Sequence, residues 1–382
     1  MVILPHRLTE LIEKGEVTER YYNPGDLFEE VHLVFTVNDH PDPEKVQKMV
    51  GNAKLHIYNV EPKSRFFIRT MGFWPLLMKK WARDVVSLAE KIQPQLIRCH
   101  GAGINAYAAS EIKNKLGIPF AISLHINPDE DVRGRSMSFK QRLYSKGEHR
   151  LEIHNLHKAN IVLPVYKPIV SFLNRIGVEA FEVCYNVLNP SNLRKKDDYA
   201  LSSPVKIISV GRQIEEKKPD NLIRAVAAIP NASITLVGDG PVHEYLKNVA
   251  YNECKLGDRA KFIPAISNDE LCKILPNFDV FATHTEYWEI SKSVLEPLLT
   301  GLPIILNRRI GEQVPELTDD LCYYVENDIK GYQDALEKMI ARDDLREELG
   351  RTAYIFAQNN WAPAKTEEKF VKIYKKLIAV NR

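Results

Sequence analysis

The sequence predicts an α/β protein built from two doubly wound, Rossmann-like domains facing a central cleft. Three observations carry this. Continuous apolar, β-branched runs alternate with helix-period stretches along nearly the whole chain, the pattern of parallel strands covered on both faces. The runs fall into two series, each of domain size. Between them lies Leu188–Pro204, LNPSNLRKKDDYALSSP, whose Pro, Asn, Ser and charge run read as a linker. At 382 residues, 45% hydrophobic and 27% charged, the chain has the length and composition of two folded domains.

In order along the first series, the expected strands are Val31–Val37, Leu55–Val60, Leu96–His100, Phe120–His125, Ile161–Val165 and Phe181–Val187. Amphipathic stretches lie between them, among them Trp81–Lys91, Ala106–Leu116 and Pro168–Ile176. The second series is Lys206–Gly211, Ile234–Gly238, Lys261–Ile266, Val280–Thr283, Leu302–Asn307 and Cys322–Val325. A last helix pattern covers Ala364–Leu377, with Phe370, Ile373, Tyr374 and Leu377 as its apolar residues. Ligands of such sheets bind just beyond the carboxyl ends of the strands. The residues to inspect are therefore His100, His125, Arg212, Gly238–Pro241, Ile266 and Thr283–Glu296.

Composition narrows the function. With a net charge of +2, nothing global points to a nucleic-acid partner. Five cysteines, Cys99, Cys184, Cys254, Cys272 and Cys322, are scattered and odd in number, without a Cys-x-x-Cys or a Cys/His cluster, which speaks against zinc and against a disulfide framework. The start, Met-Val-Ile-Leu-Pro-His, has no signal-peptide pattern, and no apolar run reaches the ~20 residues of a membrane span. The expected setting is reducing and cytoplasmic.

Three constellations carry chemistry. In Ser209–Pro219, SVGRQIEEKKP, a strand ends at Gly211 and is followed by Arg212 and Lys217. Arginine offers a planar fork and lysine a point charge, a pair suited to a diphosphate, although a solvated charged turn beside Glu215 and Glu216 has the same composition. In Leu236–Pro241, LVGDGP, a strand enters a Gly-Asp-Gly-Pro turn, and alone this is a strand-to-helix turn. Third, a helix starts at Lys292 with Ser291 as N-cap. Its first N–H groups and dipole suit an anion beside Lys292 and Ser293. Glu296, one turn further, sits among Leu295, Pro297 and Leu298, where a carboxylate is costly unless it faces a cleft; there it can accept from both hydroxyls of a ribose.

Taken together, Gly-Arg-x4-Lys, then Gly-Asp-Gly-Pro, then Lys-Ser-x-x-Glu closed by Gly-Leu-Pro resemble the retaining glycosyltransferases of the GT-B fold. More narrowly they resemble the family-four group of bacterial polysaccharide and lipid-linked glycan synthases. Within WEISKSVLEPLLTGLP the match runs without a gap from Ile290 to Pro303, apart from Ser291 and the Pro297–Thr300 variation, and the resemblance runs from Lys206 to about Trp361. The first half matches more loosely, through IRCHGAG, GIPFAISLH, ANIVLPVYKPIVSFL and CYNVLNP.

The resemblance implies an acceptor-side domain over 1–190, a linker over 188–204 and a nucleotide-sugar domain over 203–361, with 362–382 returning to the first domain. It implies transfer of a hexose from a nucleotide-sugar, UDP by default, to a saccharide or lipid-linked saccharide, with retention and without a metal or other cofactor. Gly211, Arg212 and Lys217 would hold the diphosphate, assisted by the backbone at Lys292 and Ser293. Glu296 would hold the ribose, and the backbone at Ala265 and Ile266 the base. His125 would face the transferred sugar, and His100, at a second strand end, is a further cleft candidate; each has a plain alternative as a core histidine.

Two departures stand out. The family's carboxylate for the donor sugar falls at Trp288, and its following glycine at Glu289. Either Glu289 takes that role, or Glu286 does through a bulge, or neither does; Ser291 lies in the same stretch. The family's Gly-rich loop after the first strand is also missing, since Val2–Lys14 has no glycine, and Arg20–Asp26 is the candidate for part of its work. Arg65–Asp84 mixes aromatic and basic residues, a candidate for peripheral contact with the inner face of the plasma membrane, against a core helix with Lys79, Lys80 and Arg83 solvated. Rival readings are a metal-dependent transferase through Asp129–Asp131, a nucleotide-sugar-binding protein without catalysis, and a dinucleotide oxidoreductase, the last lacking its G-x-G-x-x-G.

Overall fold

A computed structural model describes residues 1–13, 15–62, 74–131, 139–189, 191–285 and 287–380. The chain divides into two compact units. The first holds Met1–Glu13, Val17–Val187 and Thr366–Arg382, and the second is built around Leu188–Lys365.

The first unit contains β1 (Val2–Leu4), β2 (Glu30–Phe35), β3 (Lys54–Asn59), β4 (Ile97–His100), β5 (Phe120–Leu124) and β6 (Ile161–Pro164). All pair in parallel in the order β3-β2-β1-β4-β5-β6. The second contains β7 (Val205–Val210), β8 (Ala232–Val237), β9 (Ala260–Ile263), β10 (Val280–Thr283), β11 (Ile304–Asn307) and β12 (Tyr323–Val325), ordered β12-β11-β10-β7-β8-β9. Counted from its own first strand, each sheet has the same doubly wound order, 3-2-1-4-5-6. The central strands are buried throughout: Ile97–His100, Phe120–Leu124, Val280–Thr283 and Ile304–Asn307 have no exposed residue. That burial on both faces is why they read as unbroken apolar runs.

One expected strand does not form. Phe181–Val187 runs beside β6 but makes only an isolated bridge, Phe181 to Val162. Glu182 N–H donates to Val162 and Cys184 N–H to Pro164. Pro164 has no N–H to return, so the parallel ladder stops there. The final helix, Pro363–Val380, belongs to the first unit from Thr366 onward and packs Phe370, Ile373 and Tyr374 against Leu96, Ala121, Leu163 and Cys184. Glu367 on this helix accepts from Arg20 Nε at 2.7 Å and from Gly25 N–H at 2.8 Å.

Leu188–Pro204 is tied along the second unit. Lys196 N–H donates to Thr300 at 2.7 Å, Tyr199 hydroxyl to Gly301 at 2.9 Å, and buried Asp279 accepts from Ser202 and Lys206 N–H groups. The helix Trp74–Ile92 is amphipathic: Met78, Trp81, Ala82, Val85 and Ala89 are buried, and Lys79, Lys80 and Arg83 are exposed. This is the core-helix pattern over the described part of Arg65–Asp84; residues 63–73 lie outside the described residues. Among the described residues no helix is long and apolar enough to cross a membrane.

Candidate active site

In the second unit the strand order turns between β7 and β10, which pair directly. Their following loops leave the same end of the sheet side by side, the usual ligand position of such folds. β7 delivers Gly211, Arg212, Gln213 and then Lys217, while β10 delivers His284 and the stretch up to the helix Lys292–Thr300. Gly211, Arg212, Lys217, Thr283 and His284 line one pocket there.

The Gly-Asp-Gly-Pro turn explains how the cationic loop is held. Gly238 adopts φ +127°, and a Cβ there would overlap the Gly211 carbonyl oxygen; one at Gly240 would overlap the Gln213 carbonyl. Only glycine lets the two loops lie backbone to backbone. Gln213, nearly fully buried, ties them further. Its N–H donates to Asp239 at 3.0 Å and its Nε2 to Gly238 at 2.8 Å, while its Oε1 faces His243 Nδ1 at 2.7 Å. The turn is thus a clamp on the Arg212–Lys217 loop, and Gln213 and His243 are positioning residues that sequence reasoning missed.

Arg212 is exposed at the rim. Lys217 lies deeper, with its ammonium 5.7 Å from the Tyr287 ring centre. Burial pulls its pKa down, Glu289 offsets this, and Arg212 adds to it. Glu289 therefore acts on Lys217 electrostatically. His284, inside the inspected stretch Thr283–Glu296 but given no role there, is buried and pulled down to about 3 by burial and then by Lys217 and Lys218, so it is a neutral imidazole beside two lysines. Its one visible signal was its place at the end of a buried strand.

The helix Lys292–Thr300 starts as expected at Ser291, but not through a side-chain cap. The Ser291 hydroxyl pairs with the Ser293 hydroxyl at 2.8 Å. Gly301, at φ +84°, closes the helix by donating to Pro297 and Leu298. Glu296 is 3% exposed. Its Oε1 accepts from Asn268 Nδ2 at 2.6 Å. Burial pushes its carboxyl up to about 7, against the opposing pull of Asn268 and Lys292. Asn268 opens the helix Asn268–Ile274, behind a Ser267/Glu270 capping box and two residues after Ile266. The box is legible as Ser-x-x-Glu, but the reach of Asn268 to Glu296 is not. Through it the candidate base-side and ribose-side residues meet.

Trp288 is fixed in place: its Nε1–H donates to Gln313 at 3.1 Å, and the Arg309 guanidinium lies 5.8 Å from its ring centre. Its single donor is thus engaged within the unit. Glu286 lies outside the described residues.

In the first unit the corresponding turn of strand order is between β1 and β4. His100 ends β4 and His125 follows β5, their rings stacked at 5.2 Å, with His6 6.0 Å and Tyr22 5.4 Å from His100. His100 is held neutral, well below the ordinary histidine range, by burial and then by Arg98, His125 and His6. Its Nε2 has no partner among the described residues. Of the Asp129–Asp131 triplet, Asp129 is ion-paired with Arg175, and the side chains of Glu130 and Asp131 lie outside the described residues.

Residues 193–356 match the family model described as glycosyl transferases group 1. The chain is 28% identical over 162 residues to the lipopolysaccharide core biosynthesis glycosyltransferase LpsE of Rhizobium meliloti, covering 42% of this chain and 46% of that protein. It is 25% identical over 287 residues to the sulfoquinovosyl transferase SQD2 of Arabidopsis thaliana, covering 70% and 54%. The chain thus spans about half the length of these curated relatives. Among solved structures, Anabaena HepE in complex with UDP superposes with a TM-score of 0.72 at 12% identity over 98% of this chain and 99% of that one. A sucrose-phosphate synthase from Thermosynechococcus elongatus does so at 0.71 and 15% identity over 99% of both. At these identities the likeness shows the fold, which is the GT-B class of two Rossmann-like units.

Proposed function

We propose, on the premise that residues 193–356 form a glycosyl transferases group 1 domain, that the chain moves a hexose from a nucleotide-sugar to a saccharide or lipid-linked saccharide hydroxyl. We further propose retention of configuration and no metal requirement, with UDP as the carrier, the ligand named for HepE. The carrying observation is the convergence at the β7 and β10 ends: Arg212 at the rim and a partly desolvated Lys217 behind it, with the Glu289 carboxylate acting on that lysine's charge.

In this reading Arg212 and Lys217 hold the diphosphate, and the first N–H groups of Lys292–Thr300 add to them. As the sugar C1–O bond breaks, charge grows on the leaving phosphate oxygen. Preorganised cations there supply the kind of electrostatic term that is usually the largest in such catalysis. The acceptor hydroxyl attacks C1 on the leaving-group face, and its proton passes to the departing phosphate oxygen. No covalent nucleophile is invoked. Glu296 holds the ribose hydroxyls, Glu289 reads the donor sugar, and His125 and His100 are assigned to sugar contacts.

Arg212→Ala and Lys217→Ala should each lower turnover with a UDP-sugar by about 10²–10³. Unchanged turnover in both would sink the assignment. A thermal-shift panel of nucleotides and nucleotide-sugars names the base, since a ligand of the folded state raises its melting temperature. The second reading, nucleotide-sugar binding without transfer, is favoured by Trp288 standing at the family's carboxylate position. Saturable UDP-sugar binding with neither transfer nor donor hydrolysis would select it. Peripheral membrane association is tested by flotation with anionic vesicles, before and after charge reversal at Lys79 and Lys80.

A further inference from the structure

A cluster of nitrogen and oxygen ligands lies on the outer strands of the first sheet, near the strand starts and not at the carboxyl ends where His100 and His125 lie. Glu30 opens β2, His32 follows two residues later on the same face, and His56 stands opposite His32 on the edge strand β3. The two imidazoles are parallel within 5° at 4.4 Å. His56 Nε2 is 2.9 Å and His32 Nε2 3.6 Å from the same oxygen, Glu30 Oε2. Three potential ligand atoms, one from each residue, lie within 4.8 Å of one another.

Ligands about 2.0–2.1 Å from a tetrahedral zinc ion stand about 3.4 Å apart. The two separations to Glu30 Oε2 bracket that spacing, and the rings, parallel in this structure, turn about Cβ–Cγ for their in-plane lone pairs to converge on one ion. The Tyr58 hydroxyl lies 3.3 Å from His32 Nδ1, an outer partner for the ring nitrogen that does not face Glu30. The Glu30 side chain is 52% and the His56 side chain 26% exposed, so an ion can enter from solvent.

We propose that Glu30, His32 and His56 form a zinc site of two imidazoles and one carboxylate, with a fourth position open to water. A bound ion would fasten the edge strand β3 to β2. The site uses first-unit residues alone and is independent of the donor-site reading of the second unit.

The test uses the tag-free full chain, stripped with a chelator and titrated with Zn²⁺ by calorimetry, with Co²⁺ as a spectroscopic probe. One saturable site per chain, a higher melting temperature with Zn²⁺ and tetrahedral Co²⁺ absorption are expected. Outer partners alone are worth about 10–100-fold in metal affinity, so Tyr58→Phe should weaken binding by about 10-fold and His56→Ala by more than about 100-fold. His56 lies at the sheet edge, and a metal-free melt of the His56→Ala protein matching the parent shows that its fold is intact. A lack of saturable Zn²⁺ binding, or binding unchanged in a His32→Ala/His56→Ala protein, overturns the proposal and leaves a Glu–His ion pair.

Discussion

Replacing Glu296 by glutamine should make the ligand-free protein more stable and its nucleotide binding weaker. Burial lifts this carboxyl from its ordinary 4.5 to about 7. A tenfold change in proton affinity is about 1.36 kcal/mol, so this rise corresponds to roughly 3 kcal/mol held against the charged form. The sign follows from proton counts. Below pH 4.5 both folded and unfolded chains hold the proton. Between there and about 7 the folded chain keeps it while the unfolded chain loses it, so stability falls as pH rises, and the full loss is present above about 7.

Glutamine cannot ionise, and its Oε1 can still accept from Asn268. The advantage of Glu296→Gln should therefore grow by roughly 2 kcal/mol between about pH 5.5 and about pH 8. At the upper limit of about 3 kcal/mol, calorimetric melting of a unit this size would shift by about 6–12 °C. UDP affinity should drop by about 10–100-fold, because a charged acceptor for two hydroxyls is lost. A variant that melts at or below the parent at about pH 8, or whose advantage is the same at both pH values, refutes the burial argument.

Other outcomes follow from the loop clamp and the sugar side. Gly238→Ala places a methyl group on the Gly211 carbonyl at φ +127° and should destabilise the second unit by about 3 kcal/mol or more in urea unfolding. Gln213→Ala leaves the Gly238 carbonyl and His243 without their partner, a loss of about 1–3 kcal/mol, and should lower kcat by displacing Arg212. Glu289→Gln should reduce transfer by about 10-fold or more while UDP affinity stays within about twofold, as expected for a contact made to the sugar alone. Equal losses in transfer and UDP binding would place Glu289 with the phosphate cations instead.

Much of this molecule was legible before its structure. Every observed strand of the second sheet begins within two residues of the start of its apolar run, and the Lys292–Thr300 helix with its Gly301 stop follows from cap and breaker chemistry. Phe181–Val187 failed as a strand because its neighbour β6 ends in Pro164, a donor defect on another segment. The Gly-Asp-Gly-Pro turn was visible as a turn, but its work as a clamp was not, since the atoms it accommodates are the carbonyls of Gly211 and Gln213.

The sequence by itself determined the two parallel α/β series and the positions of Arg212, Lys217 and Glu296, because buried strands must be apolar on both faces and strand ends point to ligands. The tertiary structure alone decided the chemical state of those groups. Glu296 is lifted to about 7 because its surroundings bury it, against the opposing pull of Asn268 and Lys292, and Lys217 is pulled down by burial and by Arg212, against Glu289. It also decided the meeting of His32 with His56, which rests on the register of β2 with β3. Desolvation and cross-strand contact depend on residues far apart in the chain that arrive at one place, and local periodicity carries no record of that meeting.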